Sequence, residues 1–217
     1  MQNTNRLAQY FVSLIILVGA LALGIGLSLW LTADRASAPL PELRYGTALP
    51  EAQPLDDFTL VDHHGQAFDR SRLTGQWTLA FFGFTNCPDV CPTTLAVLDD
   101  VKQRLAQQGY EDQLQVAFVS VDPARDTPAQ VAAYMNHFNP EFVGVTGELE
   151  QIRRLTRQVG IVFVHEQGKV EGAYDVHHSA AVLLFDPQGR WSALFSSPHY
   201  GEDMSQDMLT ILQHYEG

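Results

Sequence analysis

Apolar positions run without interruption through one stretch near the N-terminus and then recur in shorter, regularly spaced groups. No residue from Leu7 to Ala33 is charged, and residues 11–31 are almost continuously apolar. About 20 helical residues cross a bilayer core. The pattern therefore predicts a single N-terminal transmembrane anchor helix over residues 11–32, with residues 1–10 as a short cytoplasmic segment. A cleavable signal peptide competes, because Ala36–Ser37–Ala38 has small-x-small form, but the apolar run is longer than a signal core and Pro39 would follow the cut. Residues 33–55 carry four prolines and no apolar period, so they read as a tether. Arg6 and the amino terminus precede the span, whereas Asp34 and Arg35 cancel after it. That bias places the N-terminus inside and the domain outside, with a bacterial inner membrane and its periplasm as the simplest home.

The folded domain is expected over residues 56–217. "DFTLVDHHGQAFDR" shows two short runs around a His63-His64-Gly65 tip, which predicts a hairpin. "WTLAFFGF", Trp77 to Phe84, and "LQVAFVSV", Leu114 to Val121, are unbroken apolar runs, the pattern of strands buried on both faces. Between them Leu95, Leu98, Val101 and Leu105 recur at helical steps, predicting a helix over about Pro92 to Gln108. Strand, helix, strand implies a parallel pair. Thr127 suits a helix N-cap and Pro128 the first helical position. A short strand at Val143 to Thr146 and a helix from Glu148 to Val159 follow. The chain closes with a hairpin around "PQG" and a helix whose stripe is Met204, Met208, Ile211, Leu212 and Tyr215. The fold class is α/β, with a central mixed sheet flanked by helices. Cysteines at the start of the first helix make it thioredoxin-like.

Composition narrows the function. A formal net charge of −12 over 217 residues disfavours phosphate backbones, so no nucleic-acid partner is expected. The chain has two cysteines, Cys87 and Cys91 in "GFTNCPDVCP". On a helix, residues four apart share a face. At a helix start the dipole favours thiolate. Three roles stay open on the residues alone. A structural disulfide is permitted in an oxidising compartment, although so short a loop removes little unfolded-state entropy. A redox-active disulfide would be a C-x-x-C with one residue inserted. A metal site would need a third ligand, two soft thiolates suiting Cu(I) and an added imidazole admitting Cu(II).

"GFTNCPDVCP", "SVDPARDTP" at Ser120 to Pro128, "VGVTG" at Val143 to Gly147 and "YDVHHSAAVLLFDPQG" at Tyr174 to Gly189 together resemble the Sco/SenC family of membrane-anchored copper proteins. The resemblance implies a thioredoxin-like domain binding one copper per chain, Cu(I) and/or Cu(II), through Cys87, Cys91 and His178. It also implies a role in maturing the copper A centre of cytochrome c oxidase subunit II, with copper arriving from a copper-donor protein. A thiol-disulfide oxidoreductase acting on that subunit's cysteines, or a redox or copper sensor, would use the same pair. His177 stands where the family usually has Asp. Adjacent side chains on an extended segment point to opposite faces, so one of the two histidines faces the cysteines, and the strand following Ser179 favours His178. His63 and His64 read as solvated turn residues. His137, His165, His199 and His214 lack a soft neighbour in sequence. Asp89 reads as a surface turn residue, Asp122, Arg125 and Asp126 as a local cap and ion pair on a loop that, after a parallel strand, can also help frame a site, and Met204 and Met208 as core.

Overall fold

The computed structural model describes residues 16–24, 40–168 and 174–216. Its centre is an eight-stranded mixed sheet of order β1-β10-β9-β4-β5-β6-β2-β3. The strands are β1 (Thr47–Gln53), β2 (Leu60–Asp62), β3 (Ala67–Phe68), β4 (Trp77–Gly83), β5 (Leu114–Ser120), β6 (Val143–Thr146), β9 (Val182–Phe185) and β10 (Trp191–Phe195). A separate pair, β7 (Phe163–Gln167) and β8 (Tyr174–His178), forms a two-stranded antiparallel sheet. The helices are α1 (Val90–Ala106), α2 (Pro128–Phe138), α3 (Leu149–Gln158) and α4 (Gly201–Glu216).

The two unbroken apolar runs lie where full burial demands. Every residue of β4 and β5 is buried, and they pair in parallel from Trp77↔Leu114 to Gly83↔Ser120. β6 continues the parallel order, while β9 closes on the other side of β4 antiparallel. All three parallel strands therefore run their carboxyl ends toward the same edge, where crevices form in α/β sheets. α1 buries the expected stripe of Leu95, Leu98, Val101 and Leu105, with Cys91 added to it. α2 starts as its sequence predicts: Thr127 and Gln130 form a reciprocal capping box and Pro128 opens the helix. Met204 and Met208 are fully buried on α4, as core residues. The His63-His64-Gly65 turn joins β2 to β3, Gly65 taking the left-handed φ of +79° that a side chain would disfavour.

Three expectations change. Of the span 11–32, residues 16–24 are described and are helical. Among the described residues no helix is long and apolar enough to cross a membrane. The single-pass placement in a bacterial inner membrane with a periplasmic domain is corrected accordingly. Residues 1–10, the remainder of the span and residues 33–39 lie outside the described residues. Second, the segment read as a tether contributes a strand: β1 pairs antiparallel with β10 through Thr47↔Leu194 and Ala48↔Ala193. The buried Asp207 of α4 explains it, because its carboxylate accepts the backbone N–H groups of Arg44, Tyr45 and Gly46 at 2.9, 2.9 and 2.7 Å. The sheet therefore starts before Asp56. Third, α1 begins at Val90, two residues early. Its N-cap, Asp89, gives no side-chain bond. Instead the Cys87 sulfur takes the Cys91 N–H at 3.5 Å, satisfying one of the first-turn donors.

Asp62 closes the β2–β3 turn. Burial opposes its charge, but the N–H groups of Gln66 and His64 and the Arg72 guanidinium outweigh that and hold its carboxyl below the ordinary value. A depressed folded pKa stabilises above the unfolded value of about 3.9, and that stabilisation is lost as the pH falls through the folded pKa. Asp62→Asn is expected to cost about 2 kcal/mol at neutral pH, with the gap to wild type narrowing below about pH 4. Urea unfolding at pH 7 and pH 3 checks it; a gap of constant size would refute the assignment.

Candidate metal centre

Cys87 sits in the loop that leaves β4, its N–H donating to the Phe84 carbonyl at 3.2 Å. The loop is held from below by Asp126, which is buried and accepts the Thr85 N–H (3.0 Å), the Thr85 hydroxyl (2.6 Å) and the Ser120 hydroxyl (2.5 Å). Cys91 lies in the first turn of α1 and is fully buried, whereas Cys87 is half-buried; both are free thiols. The Cys91 sulfur occupies the space a side chain at Gly83 would need: a Cβ there would stand 2.6 Å from it and 3.0 Å from Phe118. Burial is the main cause pushing the Cys91 thiol well above the ordinary value, so the apo site holds it protonated at neutral pH.

His178 ends β8. Its Nε2 is 3.5 Å from the Cys91 sulfur, and its Nδ1 is 3.0 Å from the Ser179 carbonyl. A carbonyl only accepts, so the tautomer with its proton on Nδ1 satisfies the Ser179 contact and turns the Nε2 lone pair toward the Cys91 sulfur, with the Phe82 carbonyl as a second backbone acceptor beside the ring. Burial lowers the pKa of this imidazole, which keeps it neutral and able to ligate. Phe81 and Phe84 meet its ring edge-on at 5.9 and 5.8 Å and fix its plane. One donor atom from each of Cys87, Cys91 and His178 lies within 4.8 Å of the others, the group of metal-ligating side chains found among the described residues. Two thiols and a neutral imidazole form a soft donor set.

The other candidates separate from this group. His177 points to the opposite face of β8, exposed, with Nε2 3.1 Å from Glu166 on β7. His63 is less solvated than its sequence suggests, because its Nδ1 accepts the Gly144 N–H at 2.9 Å and its ring lies 4.0 Å from that of His64. His165 reaches the Val121 carbonyl at 2.9 Å and His199 the Ala180 carbonyl at 2.7 Å. His137 and His214 are exposed, as is Asp89. Asp122 and Arg125 do pair locally, yet they also reach the far hairpin: Tyr174 donates to Asp122 at 2.5 Å, and Arg125 lies 4.1 Å from the Tyr174 ring centre. Tyr174 opens the strand that His178 ends, so this cluster anchors the other end of that strand. The β7–β8 hairpin was not anticipated; its signal is the period-2 alternation in "FVHEQ" and "YDVHH".

A SCO1/SenC family model matches residues 47–213. The chain belongs to the SCO1/SenC family. A Stutzerimonas stutzeri relative named for copper binding is 40% identical over 166 residues, covering 76% of this chain and 80% of the relative. The bovine mitochondrial SCO2 homolog is 35% identical over 152 residues, 70% of this chain; the match spans 57% of the bovine protein, little more than half its length. Among solved structures, copper-bound ScoI from Bradyrhizobium japonicum superposes with a TM-score of 0.65 at 33% identity, covering 72% of this chain and 98% of that one. The matched region contains all three members of the sulfur–imidazole group, and this SCO1/SenC chain presents them on the loop after β4, the first turn of α1 and the end of β8.

Proposed function

We propose that this protein is a copper-binding assembly factor whose cargo is one copper ion per chain, held by Cys87, Cys91 and His178. The observation that carries the reading is the convergence of two free thiols and a neutral imidazole nitrogen within 4.8 Å. Those donors fit copper: thiolates select Cu(I), and the imidazole extends the set to Cu(II). Copper-bound relatives of the same fold support it. The recipient is cytochrome c oxidase subunit II, where the ion enters the copper A centre, and a copper-donor protein supplies it. The half-buried Cys87 is the ligand a recipient's cysteine can reach, so cargo leaves by exchange of sulfur ligands beginning there.

The test compares wild type with His178→Ala. Wild type is expected to bind one copper, and the variant to lose about tenfold or more in affinity, ~1.4 kcal/mol, most of all for Cu(II). Unchanged affinity would remove His178 from the ligand set. A second reading is favoured by the free state of the two thiols: the pair becomes a disulfide while an oxidised cysteine pair of subunit II becomes a dithiol, two electrons and two protons passing to the partner. That activity needs Cys87 and Cys91 alone. His178→Ala that still reduces a disulfide peptide of subunit II and still matures oxidase would give the redox reading precedence.

A further inference from the structure

His199 lies outside the donor group, yet its contacts end beside it. Its Nε2 stands 2.7 Å from the Ala180 carbonyl. Because a carbonyl only accepts, Nε2 bears the proton, and Nδ1, buried and without a hydrogen-bond partner, is left as a bare acceptor. Ala180 is two residues beyond His178. The intervening Ser179 is tied on its other side to Val162, just before β7: its N–H donates to the Val162 carbonyl at 2.9 Å, and its hydroxyl accepts the Val162 N–H at 3.1 Å. The segment that carries the imidazole is therefore clamped from two directions, and His199 is one of the clamps.

The position of His199 is itself well determined. Tyr45 donates its hydroxyl to the Pro198 carbonyl and meets the Tyr200 ring at 6.0 Å. Tyr45 in turn is held by the buried Asp207. His199 also lines a cavity of about 150 Å³ together with Asp89 and Val90, two of the three residues between Cys87 and Cys91. One residue thus faces the cysteine loop across a cavity and bonds the backbone beyond the third donor. Burial lowers the His199 pKa, in keeping with a neutral ring.

We propose that His199 is a positioning residue for His178, holding the Ala180 carbonyl so that the imidazole stays directed at the two sulfurs. The proposal rests on the copper reading above. Outer hydrogen-bond partners of this kind are worth about 10–100-fold in metal affinity. His199→Phe, which keeps a ring and removes the donor, is expected to lose affinity in that range and to shift the thiolate-to-Cu(II) absorption bands, with the apo melting curve retained. His199→Gln, whose amide nitrogen can reach the same carbonyl, is expected to restore both. A His199→Phe protein with wild-type affinity and bands overturns the proposal. Should His199→Phe unfold, the Gln variant decides: native bands support the role, and a loss as large as about tenfold overturns it. Long-range proton–nitrogen NMR of wild-type apo protein tests the same contact without mutation. An Nε2–H tautomer is expected, and an Nδ1–H tautomer overturns it. If wild type takes up no copper, the functional reading falls and the tautomer alone decides the hydrogen bond.

Discussion

Cys91→Ser will fold and fail to retain Cu(I). The sulfur lies in the first turn of α1, fully buried, 3.5 Å from the His178 Nε2, and serine fits its space. A hydroxyl is a hard donor that stays protonated, so the variant keeps one thiol and one imidazole where two soft ligands are needed. The expected loss is about three decades in Cu(I) affinity, roughly 4 kcal/mol, read by competition with a chromogenic Cu(I) chelator. The melting temperature should change little, because the new hydroxyl can donate to the imidazole nitrogen left free on His178. Retained affinity in a folded variant would remove Cys91 from the site. In wild type, burial holds this thiol protonated, so loading releases a proton and uptake weakens as the pH is lowered.

Gly83→Ala will be the most disruptive single methyl group near the site. Its Cβ would stand 2.6 Å from the Cys91 sulfur, 3.0 Å from Phe118 and 3.2 Å from Phe81. None of these neighbours has room to retreat: Cys91, Phe118 and Phe81 are all fully buried between β4, β5 and α1. Overpacking of this kind costs about 1–3 kcal/mol, which for a domain of this size lowers the melting temperature by roughly 2–12 °C. The same displacement moves the Cys91 sulfur off its line to His178, so copper affinity falls along with stability. A variant that melts with wild type and binds copper equally would show that the first turn of α1 moves aside freely.

Much of the architecture was legible because burial writes itself into the chain. β4 and β5 are unbroken apolar runs, α1 shows its stripe, and α2 announces its start through Thr127 and Pro128. Cys87 and Cys91 were visible as a pair; strand alternation allowed one of His177 and His178 to face them, and the family resemblance with Ser179 and the strand after it favoured His178, while the structure turns His177 outward to Glu166. What stayed hidden depends on contacts between distant segments. β1 has no strand-length apolar alternation of its own and becomes a strand because β10 offers it an edge and Asp207 holds its approach. Asp126 looks like a local cap, and it acts on Thr85, 41 positions away. His199 has no local signal, since its partner is the backbone of another loop. The membrane expectation came from the apolar run and the charges flanking it, and among the described residues no helix is long and apolar enough to cross a membrane.

The difference in burial between the two sulfurs imposes an order of events. Cys91 is fully buried in the first turn of α1, while Cys87 is half-buried in the loop before it. A visiting thiol can collide only with the outer sulfur. Whether the proposed traffic is metal or electrons, it would pass through one door: Cys87 would make the first bond to the visitor, and Cys91 would act afterward, from within the same chain.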